Sequence, residues 1–318
     1  MMRLGRSDVM VPRLGIGAMV WGRAHGNERW TPAQLAYGPT ASADDEEAAL
    51  DVSIAAGVNL VDTAEFYGHG LSERRVGELA PGRDVIIATK FPPRFFSRAS
   101  DFPEALAGSL AQLNRDRIDV FQHHFPSKRV PIPELMAHMA EAVDAGKVRA
   151  VGVSNYSAEQ TRLAHAELAK RGIPLASNQV EYSLLRRKPE TDGVLDTCRE
   201  LGVTFMAYSP LAGGALTGKY TAHGPRAKGL RPYLLGQFRR KGLEELEPVI
   251  ALLREIGARY DKTANQVALR WLLEQDNVLP IPGAKNAEQA ASNAGALQFS
   301  LTADEVDALS RATARWRS

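Results

Sequence analysis

A (β/α)8 barrel is the fold class this sequence predicts, and three observations predict it. Short apolar runs alternate with stretches whose apolar residues recur every three or four positions, joined by short punctuated turns, which is the pattern of parallel βα units. Six of the runs end in a polar side chain: NLVD at Asp62, DVIIATK at Lys90, DVFQHH at His124, VRAVGVSN at Asn155, ASNQ at Gln179 and VTFMAY at Tyr208. With 318 residues and 44% hydrophobic content the chain can bury one large core, so a single domain over residues 1–318 suffices. The carboxyl ends of the strands in such a barrel open onto one face, so these six side chains are expected in one site.

The elements follow in chain order. A short polar hairpin is expected over residues 2 to 11, and a first strand in PRLGIG. The next helix should begin near Asp44, where acidic residues suit the positive helix end, and run through AALDVSIAA to Gly57. Asn59 to Asp62 then reads as a strand. Phe102, Leu106, Leu110 and Leu113 mark a later helix, and Leu135, Met136, Met139 and Val143 another, both sets being core stripes. The turn AGKV leads into VRAVGVSN, after which Ser157 can cap a helix over SAEQTRLAHAELAK that ends near Gly172. ASNQVEY and VTFMAY supply two more strands and VLPIP the last, which with PRLGIG makes eight. Leu211 to Gly242 reads as a long loop rich in Gly, Lys and Arg, placed at the mouth directly after Tyr208. A terminal helix from Thr302 should pack on the outside of the barrel.

Composition narrows the function. A net charge of +2 from nearly balanced acids and bases creates no strong field, so nucleic acid is not an expected partner. The start, MMRLGRSDVMVP, is charged where a secretory peptide would be apolar, and no stretch approaches membrane-spanning length, so a cytoplasmic protein with no membrane partner is expected. The one cysteine, Cys198, excludes an intrachain disulfide, fits a reducing compartment and reads as a packing residue. No GxGxxG follows a strand, and GIGAMVWG near residue 15 has the wrong spacing for one, which excludes a Rossmann site.

The polar strand ends carry a chemistry. Asp62 ends a strand, and Tyr67 lies five residues later on the following loop. A tyrosine of ordinary pKa, about 10, gives up its proton poorly unless a cation stabilises the phenolate, and Lys90 on a neighbouring strand end is such a cation. A carboxylate keeps a desolvated lysine charged and aimed, a part that Asp62 fills. His124 can hydrogen-bond the oxygen of a carbonyl compound that takes the Tyr67 proton. These four groups form a proton relay that needs no metal. His123 alternates to the other side of the strand, so the adjacent imidazoles diverge and do not make a chelating pair.

From end to end the chain resembles the aldo-keto reductase family, through DTAEFYG, the lysine of IATKFP, DVFQHHFP, VGVSNYS, the glutamine of SNQVEYS, AYSPLAGGALTGKY and IPGAKNAEQAASN. It is most similar to the bacterial and plant group that also includes relatives of potassium-channel β-subunits. The resemblance implies a TIM barrel and a catalytic tetrad of Asp62, Tyr67, Lys90 and His124, with Tyr67 the general acid in carbonyl reduction. The family places its histidine five residues after the strand's aspartate and two before a proline, which selects His124, between Asp119 and Pro126.

The resemblance also implies NADPH (NADP+) as the cofactor. Ser154, Asn155 and Gln179 match the residues that hold the nicotinamide carboxamide, and Tyr208 the aromatic on which the ring stacks. Ser209, Leu211, Gly213 and Leu216 match the loop along the pyrophosphate, with Lys219 adding charge. In the last block Gly283 and Lys285 are counted with the cofactor, Lys285 on the adenosine 2′-phosphate, and Gln289 and Asn293 flank the adenine. The family often has Glu where this chain has Ser292. A small carbonyl substrate is implied, with Trp21, Phe66, Phe91, Phe95 and Phe125 as candidate aromatic walls that favour apolar or aryl compounds. Arg94, Arg98 and Lys128 offer an anionic substrate a handle, although exposed charges near a loop are usually only solvated. The alternative from another class is an NADP(H)-binding redox-sensing regulatory subunit with little turnover, which the same fold and tetrad would serve.

Overall fold

A computed structural model describes residues 1–22, 32–37, 42–91, 98–227 and 229–317. The chain begins with β1 (Met2–Arg3) and β2 (Met10–Val11), which pair antiparallel. Eight strands then lie side by side, all parallel and in chain order: β3 (Ile16–Gly17), β4 (Leu60–Asp62), β5 (Ile86–Phe91), β6 (Ile118–His123), β7 (Val148–Ser154), β8 (Leu175–Glu181), β9 (Thr204–Tyr208) and β10 (Val278–Ile281). The first and last meet through the Gly15 N–H on the Pro280 carbonyl (3.0 Å) and the Gly17 N–H on the Pro282 carbonyl (2.9 Å), which brings the two edges of the sheet together. The predicted strands thus stand within a residue or two of their expected carboxyl ends, with His124 and Asn155 each one position past a strand, while the first, expected over PRLGIG, is only Ile16–Gly17.

The helices are α1 (Pro32–Tyr37), α2 (Ala43–Ala55), α3 (Leu71–Leu79), α4 (Phe102–Leu113), α5 (Ile132–Asp144), α6 (Ala158–Ala169), α7 (Val194–Leu201), α8 (Arg231–Leu234), α9 (Arg240–Ala258), α10 (Ala264–Leu273), α11 (Ala287–Ala294) and α12 (Ala303–Ala312). Their starts have local causes. The Ser42 hydroxyl accepts the Asp45 N–H at the head of α2, and at α6 Ser157 and Gln160 cap each other's backbone, as the sequence predicts. On α4 and α5 most of the expected stripe is buried, while Leu110 and Val143 sit at its partly exposed edge. The terminal helix α12 packs on α9, where Glu305 accepts from the Tyr260 hydroxyl at 2.6 Å.

The inside of the barrel is layered, and the layering positions the site. Leu60, Ile86, Ala88, Val120, Ala150, Met206, Leu279 and Ile281 fill its lower part, and Leu4, Val9 and Val11 of the amino-terminal hairpin pack into the same cluster and close that end. Side chains two residues further along each strand point the same way. The next layer up therefore holds Asp62, Lys90 and Gln122, and on β8, where the pairing with β7 shifts register, Ser177 and Gln179 face the same interior; all five are buried and polar. The outward-facing residues of the same strands, among them Phe121, Val151, Val153 and Phe205, pack under the helices in the larger core.

The segment expected as a long loop is ordered into short pieces. Ala212–Thr217 forms 3-10 turns broken by left-handed Gly213 and Gly214, then come α8, a 3-10 turn at Gly236–Phe238 and the start of α9 at Arg240. Buried Arg231 explains this order: its guanidinium donates to the Gly213 carbonyl (2.9 Å) and lies 5.4 Å from the rings of both Tyr220 and Phe238.

Two consequences for stability can be measured. Gly77 on α3 faces α4, where an added Cβ would lie 2.6–2.7 Å from the backbone of Gln112 and Leu113. Gly77→Ala should therefore destabilise the fold by roughly 1–3 kcal/mol in urea unfolding, since backbone cannot yield as a side chain would. Glu73, also on α3, is buried with its Oε1 accepting from the Thr89 hydroxyl at 2.6 Å. Burial pushes its carboxyl from an ordinary 4.5 up to about 7, with the Thr89 bond opposing. A raised folded-state pKa gives stability that is complete below the unfolded value and lost as pH rises through about 7. Glu73→Gln should thus gain stability over the wild type at pH 8 and little at pH 5; an equal change at both pH values would remove the ionisation as its cause.

Candidate active site

Lys90 is the centre of the polar layer. It points into the barrel from the end of β5 with no exposed surface, and its ammonium donates to Asp62 Oδ2 (2.7 Å) and to the Thr63 carbonyl (2.8 Å). The ammonium also lies 5.0 Å from the centroid of the Tyr67 ring. Burial alone would push the lysine pKa down, but Asp62 and Tyr67 outweigh it, so the ammonium stays charged. The Tyr67 phenol is raised by burial, with Lys90 the principal opposing influence. Asp62 spends its other oxygen on Gln179 Nε2 at 2.8 Å, with Gln122 Nε2 further off at 3.5 Å.

His124 follows β6 and turns over this cluster. Its ring meets Tyr67 edge-on with centroids 5.7 Å apart and lies flat against Phe125 at 4.6 Å. Burial, then Lys90 and His123, push the imidazole down to about 2, so it is neutral at any working pH. Its Nδ1 is buried and has no hydrogen-bond partner among the described residues. His123 points outward instead, hydrogen-bonded through Nδ1 to the Tyr156 hydroxyl at 2.7 Å and packed beside Phe91. The alternation read from the sequence is the one observed.

The other strand-end residues are joined to the same cluster. Ser154 donates to the Gln179 carbonyl (2.8 Å), Asn155 Nδ2 donates to the His124 carbonyl (3.1 Å), and the Tyr208 hydroxyl donates to Asn155 Oδ1 (3.0 Å). Asn155 and Ser209 both have left-handed backbone, at φ +59° and +50°, where the chain leaves β7 and β9. Beyond them Gly213 and Gly214, at φ +68° and +97°, turn the backbone along the rim beside half-buried Leu211. Lys219 is exposed, and Leu216, expected on this rim, has its side chain fully buried in the core.

Past β10, exposed Gly283 and half-buried Lys285 lead into α11, which Asn286 caps. Gln289 Oε1 accepts the Lys285 N–H (3.0 Å), Asn293 Nδ2 donates to the Gly283 carbonyl (3.2 Å), and the Lys285 ammonium donates to the Tyr37 carbonyl (2.7 Å). Ser292 accepts from Asn265 of α10 at 2.9 Å, so it serves helix packing.

Two expected pocket residues are corrected. Phe91 is 1% exposed: because Lys90 faces inward, its neighbour must face out, where it packs on Phe102 of α4. Trp21 is 2% exposed, its indole N–H bonded to the Ala284 carbonyl at 2.7 Å, and it pins the chain after β3 to the chain after β10. Among the described residues Phe66 and Phe125 are open at the mouth, 48% and 41% exposed, both against His124. Arg94 and Phe95 lie outside the described residues. Gln122, Tyr37 and Arg231 were not singled out from the sequence. Gln122 could have been, as it stands two positions before His124 on the same face; Tyr37 and Arg231 reach the mouth from connections that carry no periodic signal.

Among the described residues no group of three His, Cys, Asp or Glu side chains could hold a metal ion, and no helix is long and apolar enough to cross a membrane.

Comparison with known proteins agrees with this geometry. Residues 13–314 match the sequence model of the aldo/keto reductase family. A chloroplastic pyridoxal reductase of Arabidopsis thaliana is 36% identical, covering 93% of this chain and 81% of its own. An aldo-keto reductase of Strobilurus tenacellus is 35% identical over 96% of this chain and 90% of its own. A thermostable aldo-keto reductase, solved in complex with the inhibitor epalrestat, superposes with a TM-score of 0.76 over 98% of both chains at 29% identity. With the family matched over nearly its whole length and a buried Lys–Asp pair set against a tyrosine at the barrel mouth, this chain belongs to the aldo/keto reductase family of oxidoreductases, which act on small carbonyl compounds.

Proposed function

We propose that the chain is an NADPH-dependent reductase of aldehydes and ketones, with Tyr67 the general acid. The observation that carries this reading is the fully buried Lys90, held charged by Asp62 with its ammonium 5.0 Å from the centroid of the Tyr67 ring. An ammonium there stabilises the phenolate left after proton donation, which is what a phenol raised by burial otherwise lacks. Neutral His124, edge-on to the Tyr67 ring, is the hydrogen-bond donor to the carbonyl oxygen, steadying its developing charge without itself titrating.

The residues present fit a nicotinamide dinucleotide. Ser154, Asn155 and Gln179 converge next to Asp62, suited to a carboxamide, and the Tyr208 ring stands at the end of β9 as a stacking face. Ser209, Leu211 and left-handed Gly213 offer backbone to the pyrophosphate, with Lys219 nearby in sequence, and Lys285 supplies a cation beside Gly283, Gln289 and Asn293 at the head of α11. When bound, the nicotinamide would supply hydride to the carbonyl carbon. Asp62 keeps Lys90 ionised, Lys90 lowers the cost of Tyr67 releasing its proton, and Tyr67 passes that proton to the substrate oxygen. Phe66 and Phe125 flank the position, and aromatic walls suit flat aryl aldehydes, the class to which the named substrate of the Arabidopsis relative belongs.

A cytoplasmic setting is part of this reading, to which a chain with one cysteine, the free and buried Cys198, is suited. No feature of the described residues favours the redox-sensing alternative.

Two variants test the reading. Tyr67→Phe should lower turnover of an aryl aldehyde by at least ~100-fold while NADPH binding, followed by fluorescence, survives. Turnover within a few-fold of the wild type would mean that the acid is another group. Lys285→Ala should weaken NADPH by roughly tenfold or more and leave NADH nearly unchanged, because one charge-assisted phosphate contact is lost. Equal weakening of both would take Lys285 away from the 2′-phosphate.

A further inference from the structure

We propose that Tyr37 is a positioning residue for the cofactor's 2′-phosphate, and that it works by holding the Lys285 ammonium in aim. This rests on the reading of Lys285 given above and extends it to a residue in a different part of the chain. The link is the hydrogen bond from Lys285 Nζ to the Tyr37 carbonyl at 2.7 Å, across 248 positions of sequence. An ammonium has three N–H donors, so a carbonyl can hold one while a phosphate oxygen takes another. Lysine otherwise reaches its ligand on a flexible stem, and the entropy of ordering that stem is subtracted from the affinity.

The Tyr37 carbonyl can serve only if it is itself fixed, and three contacts fix it. Two residues earlier the Leu35 carbonyl accepts the Leu230 N–H at 2.9 Å, which ties α1 to the segment entering α8. That approach is close enough to require glycine at position 229, where a Cβ would lie 2.6 Å from the Leu35 oxygen and 2.7 Å from the Ala36 oxygen, with φ at +71°. The Tyr37 ring packs over Gly213, whose added Cβ would meet it at 3.4 Å, and the Arg231 guanidinium lies 5.7 Å from its centroid. Burial and the carboxylate of Glu181 raise the phenol and Arg231 opposes them, so the ring stands among fixed charges at the rim. The ring therefore anchors the backbone, and the backbone aims the lysine. The hydroxyl is not needed for either step.

The test separates this role from general damage to the fold. Binding of adenosine 2′,5′-bisphosphate and of adenosine 5′-monophosphate would be measured by calorimetry on the wild type, Tyr37→Ala, Tyr37→Phe, Lys285→Ala and the double variant Tyr37→Ala/Lys285→Ala. Tyr37→Ala should weaken the bisphosphate about tenfold and the monophosphate less than about twofold, with Tyr37→Phe close to wild type. In the Lys285→Ala background the Tyr37 substitution should cost almost nothing further, as expected for two residues acting through one contact. In turnover, Tyr37→Ala should raise KM for NADPH and leave kcat unchanged. Should Tyr37→Ala unfold, Tyr37→Leu, which keeps an apolar side chain on α1, takes its place in the same comparison.

Equal weakening of both nucleotides, an additive loss in the double variant, or a Tyr37→Phe as weak as Tyr37→Ala would each overturn the assignment. A bisphosphate that binds the wild type and is lost in Lys285→Ala, but is indifferent to Tyr37, would leave the Lys285 reading standing and remove this one alone. Indifference of the bisphosphate to Lys285 would remove both.

Discussion

A lysine ammonium with no access to water must be paid back in full by its partners, and the upper half of this barrel is arranged around that requirement. Lys90 takes a carboxylate and a backbone carbonyl and lies beside the Tyr67 ring. Asp62, now committed to the lysine, needs its second oxygen satisfied and takes Gln179 from four strands away. Removing one member of a buried ion pair costs roughly 3–5 kcal/mol because the other charge is left unpaired. The ends of β4, β5 and β8 are thereby joined by one electrostatic unit, and the loop carrying Tyr67 closes onto it.

That unit is tolerable because the lower half of the barrel is apolar and capped. Leu60, Ile86, Val120, Met206 and Leu279, with Leu4, Val9 and Val11 of the hairpin beneath them, supply burial without polar groups to satisfy. The two layers divide the work: burial below stabilises the closed sheet, while the polar layer above spends part of that stability to keep an ammonium next to a phenol. The same low polarity explains why His124 stays neutral beside Lys90, since a second positive charge there would have neither water nor a carboxylate of its own.

The rim is made differently, from connections and not from the sheet. Arg231 gathers Gly213, Tyr220 and Phe238 about itself, and α1 lies against the same group through Leu35 and Tyr37. A buried guanidinium stacked between aromatic rings holds loops together with directional contacts where there is too little apolar area to do so by burial.

Much of the barrel was legible in the chain because strand periodicity and helix caps are local. Alternation of two residues along β5 and β6 places Lys90 inward and His123 outward whatever surrounds them, and Ser157 with Gln160 caps α6 from four consecutive residues. The residues at the strand ends were legible for the same reason, since a parallel barrel gathers those ends on one face. Phe91 and Trp21 were misplaced by treating nearness to the site in sequence as nearness in space; alternation turns Phe91 into the helix layer, and a bond to Ala284 draws Trp21 into the core. What the sequence by itself determined is therefore the barrel, its open face and the identity of the polar groups on it. Only the tertiary structure decided which of those groups touch, that Gln179 completes Asp62, that Arg231 orders the rim and that Tyr37 meets Lys285, because each of these contacts joins segments far apart in the chain whose approach no local pattern encodes.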